Sequence, residues 1–527
     1  MPRYRRGMKL NSPTIIKGRT EMYNNSGKTT IRSHCIFLLA PVWLLMISTS
    51  FGSDPDFEKN RIKPYDENNS YWQYQGKPVY LLGGNKVVNP FQMERHQLIN
   101  YLDELESSGG NYFRNIMSDR EPGNIRAFKR LDNGKYDLTQ WNEDYWDGLR
   151  NMLKWSSERD MIVNLTFWDR FDHYDQVGHR DETREVLWKN SPWNPVNNVN
   201  YTIEESGLES AYVGHPITGI NPFHQTPPMM EDLPVVLHFQ ERFVEKILDV
   251  SMEYGNVIYN MGNEHQLDLK DWDMYWGQFV RAYASTKGHK IETTAMFDHV
   301  IQRDGNWVPV EGFPPVIERN DLYTFIEGSK LGSQWTDPGE TQYDAAIDLI
   351  RNTAEVERRP VNAVKVRTQN ITYNAQERLW RLLMAGFAAL SHHRAYLEGT
   401  TRDGWPIGGL AMTELAKTNI QSMRIFTDLI TPWESAPRQD LLSDRDKDEA
   451  YLMAKEGYMY GLYFPKGTGS AGLDLRNSEK PFKIQWIDIG KGQVVLESEI
   501  RGGDVISIET PHQAEYGWAG AITVLNE

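Results

Sequence analysis

Between about residues 78 and 400, short apolar, β-branched runs alternate with stretches whose apolar positions recur every three to four residues. The first pattern suits buried strands and the second amphipathic helices, so their alternation predicts parallel βα units. Eight runs are candidate strands, at 78–83, 111–117, 161–167, 257–260, 291–296, 322–325, 361–366 and 394–397. Helical patterns at 96–107, 239–252 and 376–389 fall between them. Eight such units close most economically into an α/β fold, a (β/α)8 TIM barrel spanning 54–433. The stretch 170–235, rich in Pro, Asn, His and Trp, reads as a long loop excursion on the barrel's C-terminal face. A helical pattern at 410–429 stops at Thr431-Pro432-Trp433. From 436 to 527 the texture changes to short strands at 451–453, 458–463, 482–487, 493–495 and 505–509, divided by Gly-rich turns. That predicts a small all-β sandwich domain.

Composition adds little to the fold but narrows the setting. With 39% hydrophobic and 24% charged residues the chain has enough apolar surface for a large core. The single cysteine, Cys35, precedes an apolar run at 36–47. That run is too short to span a bilayer and matches a signal-peptide core, with Lys28 and Arg32 before it and Ser48, Thr49, Ser50 and Gly52 after it. Residues 1–52 therefore read as a signal peptide with an extended basic start, and the chain as secreted or periplasmic. This segment holds eight of the 57 basic and one of the 72 acidic residues. The remainder carries 49 basic against 71 acidic, a balance of −22 that argues against nucleic acid and anionic membranes as partners. The 17 Trp and 26 Tyr, many beside polar residues as in Trp168-Asp169 and Asp271-Trp272-Asp273, suit either sugar stacking or barrel packing.

In a barrel of this class the chemistry sits where strands end at the C-terminal face. The second strand runs out at Asp119-Arg120, the third at Trp168-Asp169-Arg170 and the fourth at Asn263-Glu264-His265. The fifth ends at Asp298-His299, the sixth at Glu327 and the eighth at Glu398. Six carboxyl groups converging on one mouth suit glycosidic hydrolysis, which needs one protonated acid and one ionised partner. Glu264, Glu327 and Glu398 are the candidate catalytic residues. Asn263, His265, Asp169, Asp298, His299, Trp168 and Arg120 are candidates for holding a carbohydrate. Lys365 and Arg367 share one face of the seventh strand and could hold a carboxylate or sulfate, or else pair with barrel acids. His392-His393 reads as packing ahead of the last strand. Neither a His-Glu-x-x-His or Cys-rich metal spacing nor a Gly-x-Ser-x-Gly elbow occurs, so no cofactor or metal is implied.

The run Val257 to Glu264, an apolar strand followed by Asn-Glu, resembles the acid/base strand of the large clan of barrel glycosidases. Gly76-Lys77-Pro78-Val79-Tyr80-Leu81-Leu82-Gly83-Gly84-Asn85 resembles the first strand of apiosidase-like glycosidases. The run from Tyr458 to Gly467, with Trp486 and Thr510-Pro511, is similar to the C-terminal domain of those proteins, which carries a collagen-binding label. The resemblance implies barrel, sandwich and glycosidase activity. It also implies a second catalytic Glu after strand seven, yet Arg359-Pro360-Val361-Asn362-Ala363-Val364-Lys365-Val366-Arg367 contains no carboxylate. Either another strand-end acid substitutes, or Asp169 or Asp298 activates water in an inverting reaction, or the site is inactive. A sugar-binding barrel without turnover and a polysaccharide lyase acting on an acidic glycan are the alternatives.

Overall fold

The computed structural model describes residues 55–525, apart from 122, 176–186, 213–220, 299, 304–305, 310–312, 332–339, 368–374, 396–400, 403–404, 407 and 466. The apolar run 36–47, His299 and Glu398 lie outside the described residues.

Eight strands form one parallel sheet: Leu81–Gly84, Tyr112–Ile116, Ile162–Asp169, Val257–Asn263, Thr293–Thr294, Ile326–Glu327, Val361–Val366 and Ala389–His392. Their spatial order is five, four, three, two, one, eight, seven, six, each beside its sequence neighbour except where the eighth meets the first. Two hydrogen bonds close the ring between its ends: Thr324 N–H donates to the Thr293 carbonyl (2.8 Å) and Thr293 N–H to Thr324 Oγ1 (2.9 Å). This is a (β/α)8 barrel. The strands are buried along their length, which is why they read as continuous apolar runs. Helices such as Arg95–Ser107, Glu143–Ser157, Pro234–Ser251 and Lys270–Thr286 each turn an apolar stripe inward.

Three strands depart from the sequence pattern, the first because the run 78–83 divides between Lys77–Val79 of a separate antiparallel sheet and the barrel strand Leu81–Gly84. The eighth lies at Ala389–His392 and not at 394–397, because the preceding helix Ala375–Ala385 stops early at Gly386, which adopts φ +100°. His392 is therefore the last residue of that strand, and its buried imidazole, held far below the usual range at about 3 by burial, is neutral. The sixth lies at Ile326–Glu327, just beyond the expected 322–325.

A three-stranded sheet (Lys63–Tyr65, Asn68–Tyr74, Lys77–Val79) covers the end where the strands begin. Its second turn, Gln75-Gly76, has φ of +52° and +73°, as tight hairpins require. Trp72 from this sheet is fully buried, donates from Nε1 to Asn362 Oδ1 (2.9 Å) and meets Phe325 edge-on at 5.3 Å.

The C-terminal part is all-β. Six antiparallel strands and a second sheet of three enclose their own core around Leu452, Leu462, Phe464, Leu473, Trp486 and Trp518. Its other face packs on the last barrel helices. Trp380 stacks on Tyr463 (5.3 Å), and Ser422 Oγ donates to the Ile489 carbonyl (3.0 Å). A Cβ on Gly461 would stand 2.5 Å from the Phe426 ring, so only glycine allows the close approach.

Candidate active site

The turn after the fourth strand is built under constraint. Glu264 sits at φ +57°, a left-handed conformation that is rare outside glycine and costs about 1–3 kcal/mol. The neighbouring residues hold it there. His265 N–H donates to the Met296 carbonyl (3.1 Å), and Asp298 N–H to the His265 carbonyl (2.8 Å), which stitches strand four to strand five. The His265 ring folds back over Gly262, where a Cβ would lie 2.1 Å from Cε1. Its Nδ1 lies 2.8 Å and 2.9 Å from the two Asp273 oxygens, which fixes the ring against the first turn of helix Lys270–Thr286. The Asn-Glu-His turn thus aims one carboxylate at the barrel axis.

That carboxylate, 4% exposed, is ringed by cations. Lys365 Nζ donates to Glu264 Oε1, as do Lys330 Nζ at 2.8 Å and Arg367 Nη2 at 3.0 Å. Arg170 Nη2 stands 3.8 Å from Oε2. Cations this close favour the ionised form of a carboxyl group. Lys330 also reaches Asp298 Oδ1 (3.4 Å), and Arg170 donates to Asp298 Oδ2 (2.6 Å). Sharing one ammonium at 2.8 Å and 3.4 Å makes the Glu264 and Asp298 carboxylates close neighbours. Asn263 extends the network. Its Nδ2 donates to Asp169 (2.9 Å), and its Oδ1 accepts from Arg114 (3.1 Å) and Lys365 (3.3 Å). Asp169 is further paired with Arg120 Nη1 at 2.7 Å.

The surroundings divide the acids into two kinds. Burial pushes Asp169 up, but Arg120, the Asn263 and Phe171 hydrogen bonds and Lys365 outweigh it and hold it below the usual range. Three residues on, burial and then the charges of Asp169 and Asp119 push Asp172 well above that range. Glu327 is raised to about 7 by burial, against hydrogen bonds from the Ser329 hydroxyl and N–H and the Val364 N–H. All three bonds go to Oε1, while Oε2 has no hydrogen-bond partner among the described residues. Lys365 joins the two glutamates, with Nζ on Glu264 and its N–H donating to the Ser329 hydroxyl (2.9 Å).

Of the residues singled out from sequence, Glu264, Asn263, Asp169, Asp298, Arg120, Lys365 and Arg367 meet in this network, and Glu327 lies behind it. His265 positions the turn. Trp168 is almost fully buried against Trp272 (5.5 Å) and Trp276 (5.3 Å), yet it borders a cavity with Asp169, Asp172, His173 and Trp193. Asp119 is paired instead with Arg126, away from Glu264. Sequence reasoning missed Lys330, Arg114 and Asp172. For Arg114 the available signal was a charged residue inside an otherwise apolar strand. Among the described residues no group of His, Cys, Asp and Glu is arranged to hold a metal ion.

No known family profile matches the chain, and no curated protein matches it. Solved structures do. A glycoside hydrolase family 5 structure from Bacteroides vulgatus aligns over 89% of this chain and 94% of its own, at 12% identity and a TM-score of 0.57. A structure described as a glycoside hydrolase aligns over 90% of this chain and 98% of its own, at 10% identity and a TM-score of 0.57. At these identities the likeness is one of fold.

Proposed function

We propose that this chain is a glycoside hydrolase that works at the C-terminal mouth of the barrel through carboxyl groups of strands three to six. The observation that carries the reading is the division of those acids. Glycosidic cleavage needs a proton donor and an ionised partner, and neighbours that push acid affinities apart assign the roles. Glu327, raised to about 7, suits the donor. Glu264, among four cations, suits the base or nucleophile and not the donor that the Asn-Glu pattern first suggests. Asp298, which shares Lys330 and Arg170 with Glu264, is the neighbour best set to orient water. The fold shared with glycoside hydrolase structures and the apiosidase-like first strand agree with this reading. The basic start and apolar run at 36–47 support export.

Leaving-group dependence tests the roles. Glu264→Gln should lose about a thousandfold in kcat on nitrophenyl glycosides and on natural glycans alike. Glu327→Gln should lose as much on a sugar leaving group but much less on a nitrophenyl one, which needs little protonation. Unchanged turnover in Glu264→Gln would remove the assignment.

Lys365 favours a second reading. It stands where the resemblance calls for a carboxylate and ties up Glu264, as in a barrel that binds sugar without cleaving it. Saturable glycan binding with no reducing ends released, and no unsaturated product, would establish that reading.

A further inference from the structure

A cavity opens where strands two and three end. The loop after strand two supplies Asp119, strand three supplies Trp168 and Asp169, and the turn beyond it Asp172. Interlocked rings stiffen the wall: Phe128 meets Trp193 edge-on at 5.0 Å and Phe243 at 6.1 Å, and Trp168 lies 5.4 Å from Phe243. Such packing makes a preformed surface. Among the described residues no lysine or arginine lines the cavity. The space is narrow and open on one side, with room for a short side arm and not for a sugar ring. Asp169 joins it to the carboxylate network, since it accepts from Asn263, the neighbour of Glu264, at 2.9 Å.

The three acids differ in reach and in proton. Asp169 has no exposed side-chain surface and is engaged by Asn263, the Phe171 N–H and Arg120. Asp119 and Asp172 stay accessible, with 23% of the Asp119 side chain and 9% of Asp172 exposed. Asp119 is paired with Arg126 through Oδ1 and offers acceptor oxygens. Asp172 is set up as a donor. The Ser118 hydroxyl accepts from the Arg120 N–H (3.3 Å), so its own hydrogen goes to Asp172 Oδ1 (2.8 Å). A proton on Asp172 therefore sits on Oδ2. Burial, then the charges of Asp169 and Asp119, keep that proton in place near neutral pH. One acceptor and one donor thus border the same small opening, as a hydroxyl group requires.

We infer that this cavity takes the exocyclic hydroxymethyl arm of a neutral hexose, its hydroxyl accepting from Asp172 and donating to Asp119 while the interlocked rings enclose its carbon. The inference names a substrate class for the hydrolase reading and rests on that reading. A pentose has no arm to fill the space. A 6-deoxyhexose leaves both acids without their hydroxyl, and a uronate brings another carboxylate to a wall without cations.

The test titrates the full-length protein by calorimetry at neutral pH. Probes are glucose, galactose and mannose, each beside its pentose, 6-deoxy and uronate counterparts. Saturable binding of at least one hexose, with all its counterparts weaker by about tenfold or more, is the expected result. Asp172→Asn, which keeps a neutral donor, should retain that preference. Asp172→Leu, which removes the donor, should bring the hexose down to the level of its 6-deoxy counterpart; should the leucine variant not fold, the parental comparison decides. A pentose, 6-deoxy sugar or uronate bound as tightly as its hexose overturns the inference. So does the absence of any sugar binding, or a preference undiminished in a folded Asp172→Leu. Turnover of glycosides without a hexose preference would remove the cavity's role and leave the hydrolase reading intact. A hexose preference in binding without turnover of any hexoside would do the reverse.

Discussion

Glu264 shows how much local structure one side chain requires. Its left-handed backbone, the bare Cα of Gly262 beneath the His265 ring, and the Asp273 clamp serve a single orientation. Gly262→Ala should therefore displace the ring and lower activity at least tenfold, with a thermal unfolding midpoint reduced by several degrees. Glu327 makes a different prediction. Its raised affinity means that the folded state holds this proton between pH 4.5 and about 7 whereas the unfolded chain releases it, so its contribution to stability declines as pH rises through that window. The cost above pH 7 is on the order of 3 kcal/mol. Glu327→Gln should consequently gain stability over the parent as pH climbs from 5 to 8, measured by urea denaturation at each pH. The same residue should set the alkaline limb of kcat/KM near pH 7, and the glutamine variant should lose that limb. A parent profile flat through pH 8 would count against the donor role. At this scale the sequence named most of the acids because one rule, acids at strand ends, suffices. It was silent on protonation, which depends on burial and on neighbours such as Arg114 for Glu327 and Lys365 for Asp169 that lie far away along the chain.

Elements were legible in proportion to their pattern. Strand seven has the expected bounds, Val361–Val366, and helix Arg95–Ser107 begins one residue early. Strand eight was misplaced because residues 379–390 are apolar almost throughout, so periodicity could not separate helix from strand. Gly386 was the usable mark, since a glycine there ends the helix with positive φ. The strands at Ser470–Asp474 and Trp518–Val524 were also missed, the first short and the second rich in Ala and Gly. Helix Ala375–Ala385 is the element on which the two folds meet. Trp380 donates to Asn419 Oδ1 (2.7 Å), meets Phe426 edge-on (5.4 Å) and stacks on Tyr463. Trp380→Ala should cost about 3–5 kcal/mol, read from chemical denaturation, and the variant should unfold in two transitions where the parent unfolds in one. A single transition at the parental midpoint would mean that this seam does not couple the domains.

Across the whole molecule, the β domain acts as a cover for the barrel's last helices. It packs on helices Ala375–Ala385 and Glu414–Leu429, so a chain stopped at residue 433 bares the Trp380, Phe426 and Ile430 surface. Such a truncation should aggregate on expression or bind a hydrophobic dye strongly, whereas a monodisperse, dye-silent product would mean the cover is dispensable. The order of folds was plain from the sequence, because the change from βα alternation to Gly-spaced strands is abrupt. The pairing at the mouth was not, since Arg114, Arg170, Lys330 and Lys365 reach it from four different strands or their loops. The hairpin beneath the barrel adds a last consequence. With Trp72 fully buried at the floor against Asn362, a donor at Glu327, as proposed, would regain its proton from the mouth side, by the way a product would leave. Recharging the acid and emptying the site are then successive uses of one doorway, and a sluggish exit would slow both.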